Sequence, residues 1–110
     1  MATVFKNVLT TGIGTSPTTV LTSNASATTT IIGLSLTNIT SSIVQASIQL
    51  NDTVAVTSAY FIQNLTIPPN SSARVVTGGE KLNLGPLSTV IVTSNVASSV
   101  DLVMSWVEIS

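Results

Sequence analysis

The chain has no cysteine and no histidine among its 110 residues. Without cysteine there is no disulfide framework and no thiolate metal site. Without histidine there is no imidazole, the group that acid–base chemistry and nucleophile activation use most. Charge is scarce as well. Three basic and four acidic side chains make up 6% of the residues and leave a net charge of −1, against roughly 25% charged residues in an average soluble domain. Lys6, Arg74 and Lys81 are too few to neutralise a run of phosphates, which argues against a nucleic-acid partner. Aromatic residues are 4% of the chain, too sparse for a row of stacking platforms. No apolar run reaches the length of a membrane span. The opening MATVFKNVLTTGIG lacks the continuous apolar segment of a signal peptide. The expectation is a chain made in a cytosol, with no membrane partner.

What remains is apolar and uncharged polar. Hydrophobic residues are 44% of the sequence, and Ser and Thr supply roughly a third, in place of the usual charged surface. Disorder couples low hydrophobicity to high net charge, the opposite balance. A nearly neutral surface gives little colloidal repulsion. Either the chain is a subunit whose neutral faces meet neighbours, or it is an ordinary β domain rich in Ser and Thr. Asn24, Asn38, Asn51, Asn64 and Asn70 each begin an N-x-S/T triplet, a density that this composition produces by chance.

Strand signals run along the whole chain and no segment shows a helical repeat. The expected strands are 3–10, 18–23, 30–40, 43–51, 59–67, 72–78, 80–85, 88–95 and 99–109, with 52–58 a connection or short edge strand. In 30–40, Ile32, Leu34 and Leu36 share one face. In 43–51, Val44, Ala46, Ile48 and Leu50 point inward, and the two runs read as an antiparallel hairpin with one wet face. Pro68-Pro69 marks a bend, because neither residue can donate to a sheet. Strands 72–78 and 80–85 read as a hairpin about Gly78-Gly79, with Arg74, Glu80 and Lys81 either keeping its edge soluble or docking on a neighbour. Strands 88–95 and 99–109 read as a last pair. The final strand is apolar on both faces: Val100, Leu102, Met104 and Trp106 on one, Val103, Val107 and Ile109 on the other. Such a strand is central in a sandwich or meets a neighbouring subunit. The fold class is all-β, one domain over residues 1–110, an antiparallel β-sandwich or jelly-roll-like barrel of about eight strands.

The chemistry of a catalytic site is missing. Asp52, Glu80, Asp101 and Glu108 form no short acidic motif, G-x-S-x-G is absent, and GIGTSP lacks the P-loop lysine. Metal sites built from His or Cys are impossible, and the residue types still allow a calcium site from Asp52, Glu80 and carbonyls. The reading is a non-enzyme with no cofactor and no metal. Tyr60 and Trp106 are the candidate ligand aromatics, although a lone Trp in an apolar strand is more often core. Candidate subunit contacts are Phe5, Arg74, Glu80, Lys81, Val103, Val107 and Ile109.

The run AYFIQNLTIPPNSSARVV, then GGEKLNL, then VIVTSNVASSVDLVMSWVEI, with the IIGL-x-L-x-N-x-T strand over Ile31 to Thr40, resembles small β proteins among the structural proteins of tailed bacteriophages. The resemblance covers most of the chain through short motifs. It departs at Gly85 to Val90, where GPLSTV replaces the family's frequent G-D-x-I. It implies a virion structural protein: a capsid decoration or cement subunit, or a neck or tail accessory subunit. Its partners would be other virion subunits, copies of itself among them, and its location the virion. A carbohydrate- or receptor-binding module of a phage fibre is the alternative, and would need an exposed aromatic platform.

Overall fold

Alternation with a period of two becomes strand along most of the chain. The computed structural model describes residues 3–54, 56–76 and 82–109. Nine strands run through them: β1 (Thr3–Ile13), β2 (Thr18–Thr22), β3 (Thr28–Asn38), β4 (Val44–Asp52), β5 (Thr57–Ile67), β6 (Ser72–Val76), β7 (Leu82–Leu84), β8 (Ser88–Ser94) and β9 (Val100–Ile109). Among the described residues there is no helix. The first sheet has the order β1-β9-β3-β6, with β7 also on β3, and the second has the order β2-β8-β4-β5. All pairings are antiparallel. β6 pairs with Leu34–Thr37 of β3 and β7 with Thr29–Ile31, so these two lie one after the other along the same edge of β3. Counted that way, eight strands form two facing four-stranded sheets, a jelly-roll sandwich.

The expected hairpins are corrected by this topology. β3 and β4 lie in opposite sheets, as do β8 and β9, and β6 and β7 each pair with β3 and not with one another. The sequential pair that does form a hairpin is β4 with β5. Loop length does not separate the two cases. Packed sheets stand about 10 Å apart, and a few residues of roughly 3.3 Å each cross that gap as easily as they turn back in the plane. The expected Gly78-Gly79 turn lies outside the described residues.

A second correction concerns the phase of β3. Leu34 and Leu36 are buried as their alternation requires, but the inward residue before them is Ile31, not Ile32. The register of β3 against β9 slips between Ile31 and Gly33. An extra residue in a strand turns the side chains before it to the opposite face. β4 and β9 keep their phase. Val44, Ala46 and Ile48 are buried, and so are Val100, Leu102, Met104 and Trp106 on a strand flanked on both sides. The core fills the space between the sheets.

With few charges available, uncharged polar groups close the ends of the sandwich. Ser23 and Ser88, both buried, bind one another's loops: Ser23 N donates to Ser88 O at 2.7 Å, and Ser88 N to Ser23 Oγ at 2.8 Å. At the other end Ser94 N donates to Gly14 O and Ser99 N to Ile13 O, and the hydroxyls of buried Ser94 and Ser99 bond each other. Gly14 sits under that loop. A Cβ there would lie 3.0 Å from Ser98 N and 3.2 Å from Ala97 Cα, both backbone atoms that cannot rotate away. Gly14→Ala should therefore cost about 1–3 kcal/mol, the usual penalty of overpacking, read as a lower urea midpoint at unchanged slope.

Candidate subunit interface on the first sheet

Residues directly opposite in an antiparallel pair point to the same side of the sheet, so the register gives the outer face row by row. Phe5, Val107, Thr30 and Asn83 form one row. Asn7, Ser105 and Gly33 form the next, and Leu9, Val103, Ser35 and Arg74 a third. Thr3, Ile109 and Thr28 lie at one end. Two rows that are apolar on β1 and β9 thus flank a row of small polar residues. Phe5 is 74% exposed, Leu9 66%, Val103 46% and Ile109 39%, while Val107 is half-buried.

The relief of this face follows from residue size. Gly33 has open space where a Cβ would stand. With Ser35, Ser105, Val103 and Arg74 it lines a shallow depression of about 230 Å³. A second depression of about 350 Å³ lies against Phe5, Asn7, Ile32 and Ser105, with Lys6 and Trp106 at its side. Among the described residues, charge on the face is confined to its margin. Arg74 is exposed on the β6 edge. Asp101 Oδ1 accepts from Gly12 N at 3.0 Å. Contiguous exposed apolar side chains with so little charge are the composition of a contact surface, not of a wet one.

Phe5, Val103, Val107, Ile109 and Arg74 are therefore brought together on one face, and Glu80 and Lys81 lie outside the described residues. Leu9 was missed. Its signal is the spacing Phe5-x-Asn7-x-Leu9, which puts it on the same face as Phe5 in any regular strand. The candidate ligand aromatics separate. Trp106 points inward from the first sheet and is 7% exposed, while Tyr60 is 55% exposed on β5 of the second sheet. They form no shared platform. Of the candidate calcium pair, Glu80 is outside the described residues. Among the described residues no three metal-binding side chains are grouped.

At the inner margin of the β1–β9 pair, Lys6 Nζ lies 3.1 Å from Glu108 Oε2, and Trp106 Nε1 donates to Glu108 Oε1 at 3.4 Å. The hydrogen bond from Lys6 is the main cause that holds the Glu108 carboxyl below the ordinary glutamate range. Partial desolvation opposes it, and the Trp106 hydrogen bond and the Lys6 charge assist. A depressed carboxylate pKa stabilises the folded state above the unfolded pKa, and the benefit is lost as pH falls through the folded value. The melting-temperature gap between wild type and Glu108→Gln should therefore be present at pH 7 and shrink as pH falls below the ordinary glutamate value of about 4.3. A gap of unchanged size in strong acid would show that the Glu108 charge is not its source.

No family model and no curated protein matches the chain. The fold is similar to that of a solved chain from the Bacillus endospore appendages, described as a novel family of disulfide-linked pili. The TM-score is 0.56, with 12% identity over 98% of this chain and 88% of that one. At that identity the likeness is one of fold, and it agrees with the jelly-roll sandwich. This chain, having no cysteine, cannot form the disulfide links of those pili.

Proposed function

We propose that this protein is a non-enzymatic structural subunit that works by packing against other subunits, copies of itself included. The observation that carries the reading is the neutral outer face of the first sheet, where Phe5, Leu9, Val103 and Ile109 stand exposed together. A small soluble monomer gains nothing from that face, whereas a subunit buries it. The similarity in fold to a chain of assembled pili supports the same reading, and in this chain the assembly would be held by non-covalent contacts. The sequence resemblance to virion proteins of tailed phages supports a phage particle as the particular assembly, with the subunit decorating the capsid or serving at the neck or tail. Many copies in a symmetric array turn weak contacts into lasting attachment.

Sedimentation of purified protein with separately prepared tailed-phage capsids and tails tests the proposal. Pelleting with one of them, abolished by Val103→Lys, is the expected result. Val103 is 46% exposed, so that change spares the core. Protein that stays in the supernatant with both, and whose Tyr60 or Trp106 fluorescence responds to glycans, would replace this role with the fibre-module alternative.

A further inference from the structure

We propose that two copies of this chain join edge to edge through β1, running antiparallel about a two-fold axis at Asn7, so that the first sheet continues from one copy into the next. The inference rests on the assembly reading above and names its first contact. An edge strand carries a row of outward N–H and C=O groups that invites another strand unless something blocks it. Three of the four sheet edges are blocked. β2 has five residues and a register slip between Thr19 and Leu21. β5 is broken by two slips against β4 and by Asn64 at φ 55°. On the β6–β7 edge the described strands have five and three residues, and β6 slips against β3 between Leu34 and Ser35. β1 alone holds an unbroken register, from Thr3 to Thr10 against β9, and is disturbed only near Gly12. It contains no proline, and its residues Thr3 to Asn7 are all exposed.

The side chains select a second copy of β1 as the partner, and they select the register. With the axis at Asn7, Phe5 stands opposite Leu9 of the second copy, and Leu9 opposite its Phe5. The two most exposed apolar side chains of the outer face then cover each other twice. Val4 meets Thr10, so the pairing uses nearly the whole regular length of the edge. On the inner side Lys6 meets Val8, and each Lys6 keeps its own Glu108 at 3.1 Å. An axis at Lys6 would oppose two like charges, which destabilises a strand pair. An axis between two residues would set outer-face side chains beside inner-face ones. An axis at Val8 would put Phe5 opposite Thr11. The net charge of −1 leaves almost no long-range repulsion between copies. Pairing like with like closes the contact as a dimer and leaves the outer face continuous across it.

The absence of cysteine makes the test clean. Asn7→Cys and Ser35→Cys each place one thiol on the outer face, and a short bis-maleimide joins thiols that face each other. Edge pairing puts the two Asn7 positions directly opposite, while the Ser35 positions, each on β3, stand at least about 24 Å apart across five strand spacings. The expected result is covalent dimer from Asn7→Cys and none from Ser35→Cys. Phe5→Glu, at a side chain 74% exposed, should raise the dimer dissociation constant at least tenfold while leaving the circular-dichroism spectrum unchanged. Cross-linking from Ser35→Cys, equally or alone, means that faces stack and overturns the edge proposal while the assembly reading stands. An oligomer that neither thiol captures does the same. Monomeric mass in every variant and in the wild type overturns the dimer, and removes the assembly reading as well if the protein also fails to pellet with capsids and tails.

Discussion

Asn38→Ala should lower folding stability by about 3 kcal/mol, and Asn38→Asp by more. Asn38 is fully buried at the end of β3. Its Nδ2 donates to Ser42 O at 2.7 Å, Ile67 O at 3.0 Å and Pro68 O at 3.1 Å. Its Oδ1 accepts from Thr40 N at 2.9 Å and Thr40 Oγ1 at 2.7 Å. One amide thus ties the β3–β4 connection to the end of β5, across the two sheets. Alanine leaves those carbonyls and the Thr40 amide without this partner, and each polar group left orphaned in the interior costs about 1–3 kcal/mol. Several groups lose a partner, but the loops partly reach water, which keeps the total near about 3 kcal/mol, the upper end of the range for one group. Aspartate keeps the acceptor for Thr40 but sets a carboxylate against three carbonyl oxygens, so it either repels them or must take up a proton. For a domain of this size about 1 kcal/mol moves the melting temperature by roughly 4–8 °C, so the alanine variant should melt at least about 12 °C lower. A circular-dichroism melt decides it; a loss below about 3 °C, or aspartate milder than alanine, would refute the bracket. The same burial means that the N-x-T triplet at Asn38 offers no accessible acceptor in the folded chain.

The second large effect separates two neighbours of the same type. Ile31→Ala should cost about 3 kcal/mol, because Ile31 is fully buried and its loss leaves a cavity between the sheets. Ile32→Ala should cost under about 1 kcal/mol, because the slip in β3 turns Ile32 outward against Asn7 and Ser105. Plain alternation with Leu34 and Leu36 gives the reverse order. Urea midpoints of the two variants settle it, and Ile32→Ala proving the more damaging would show that β3 runs without its bulge.

That pair marks where sequence reasoning stops. Strands of regular phase are legible: Val44, Ala46 and Ile48 in β4, and Val100 to Trp106 in β9, point where a period of two puts them. β3 is not, because a bulge is one extra residue whose place depends on the partner strand β9 and leaves no mark in the local pattern. Strand partners are illegible for a related reason. The short connections after Asn38 and after Ser94 cross between sheets, and their composition is that of any turn. The contact face was half legible. Val103, Val107 and Ile109 betray themselves as apolar residues on the second side of a strand already apolar on the first. Phe5 stands out by its size. Leu9 counts only once β1 is known to be an edge lying beside β9. Trp106 and Tyr60 show the converse, since aromatic identity alone says nothing about which face carries the ring.

The central claim, that this protein acts by packing with other copies, is tested most directly by the mass of the purified chain in solution, measured by light scattering over a range of concentrations. The account predicts a defined multiple of 11.3 kDa, an even one if β1 pairs with β1. A particle of 11.3 kDa at every concentration would contradict it.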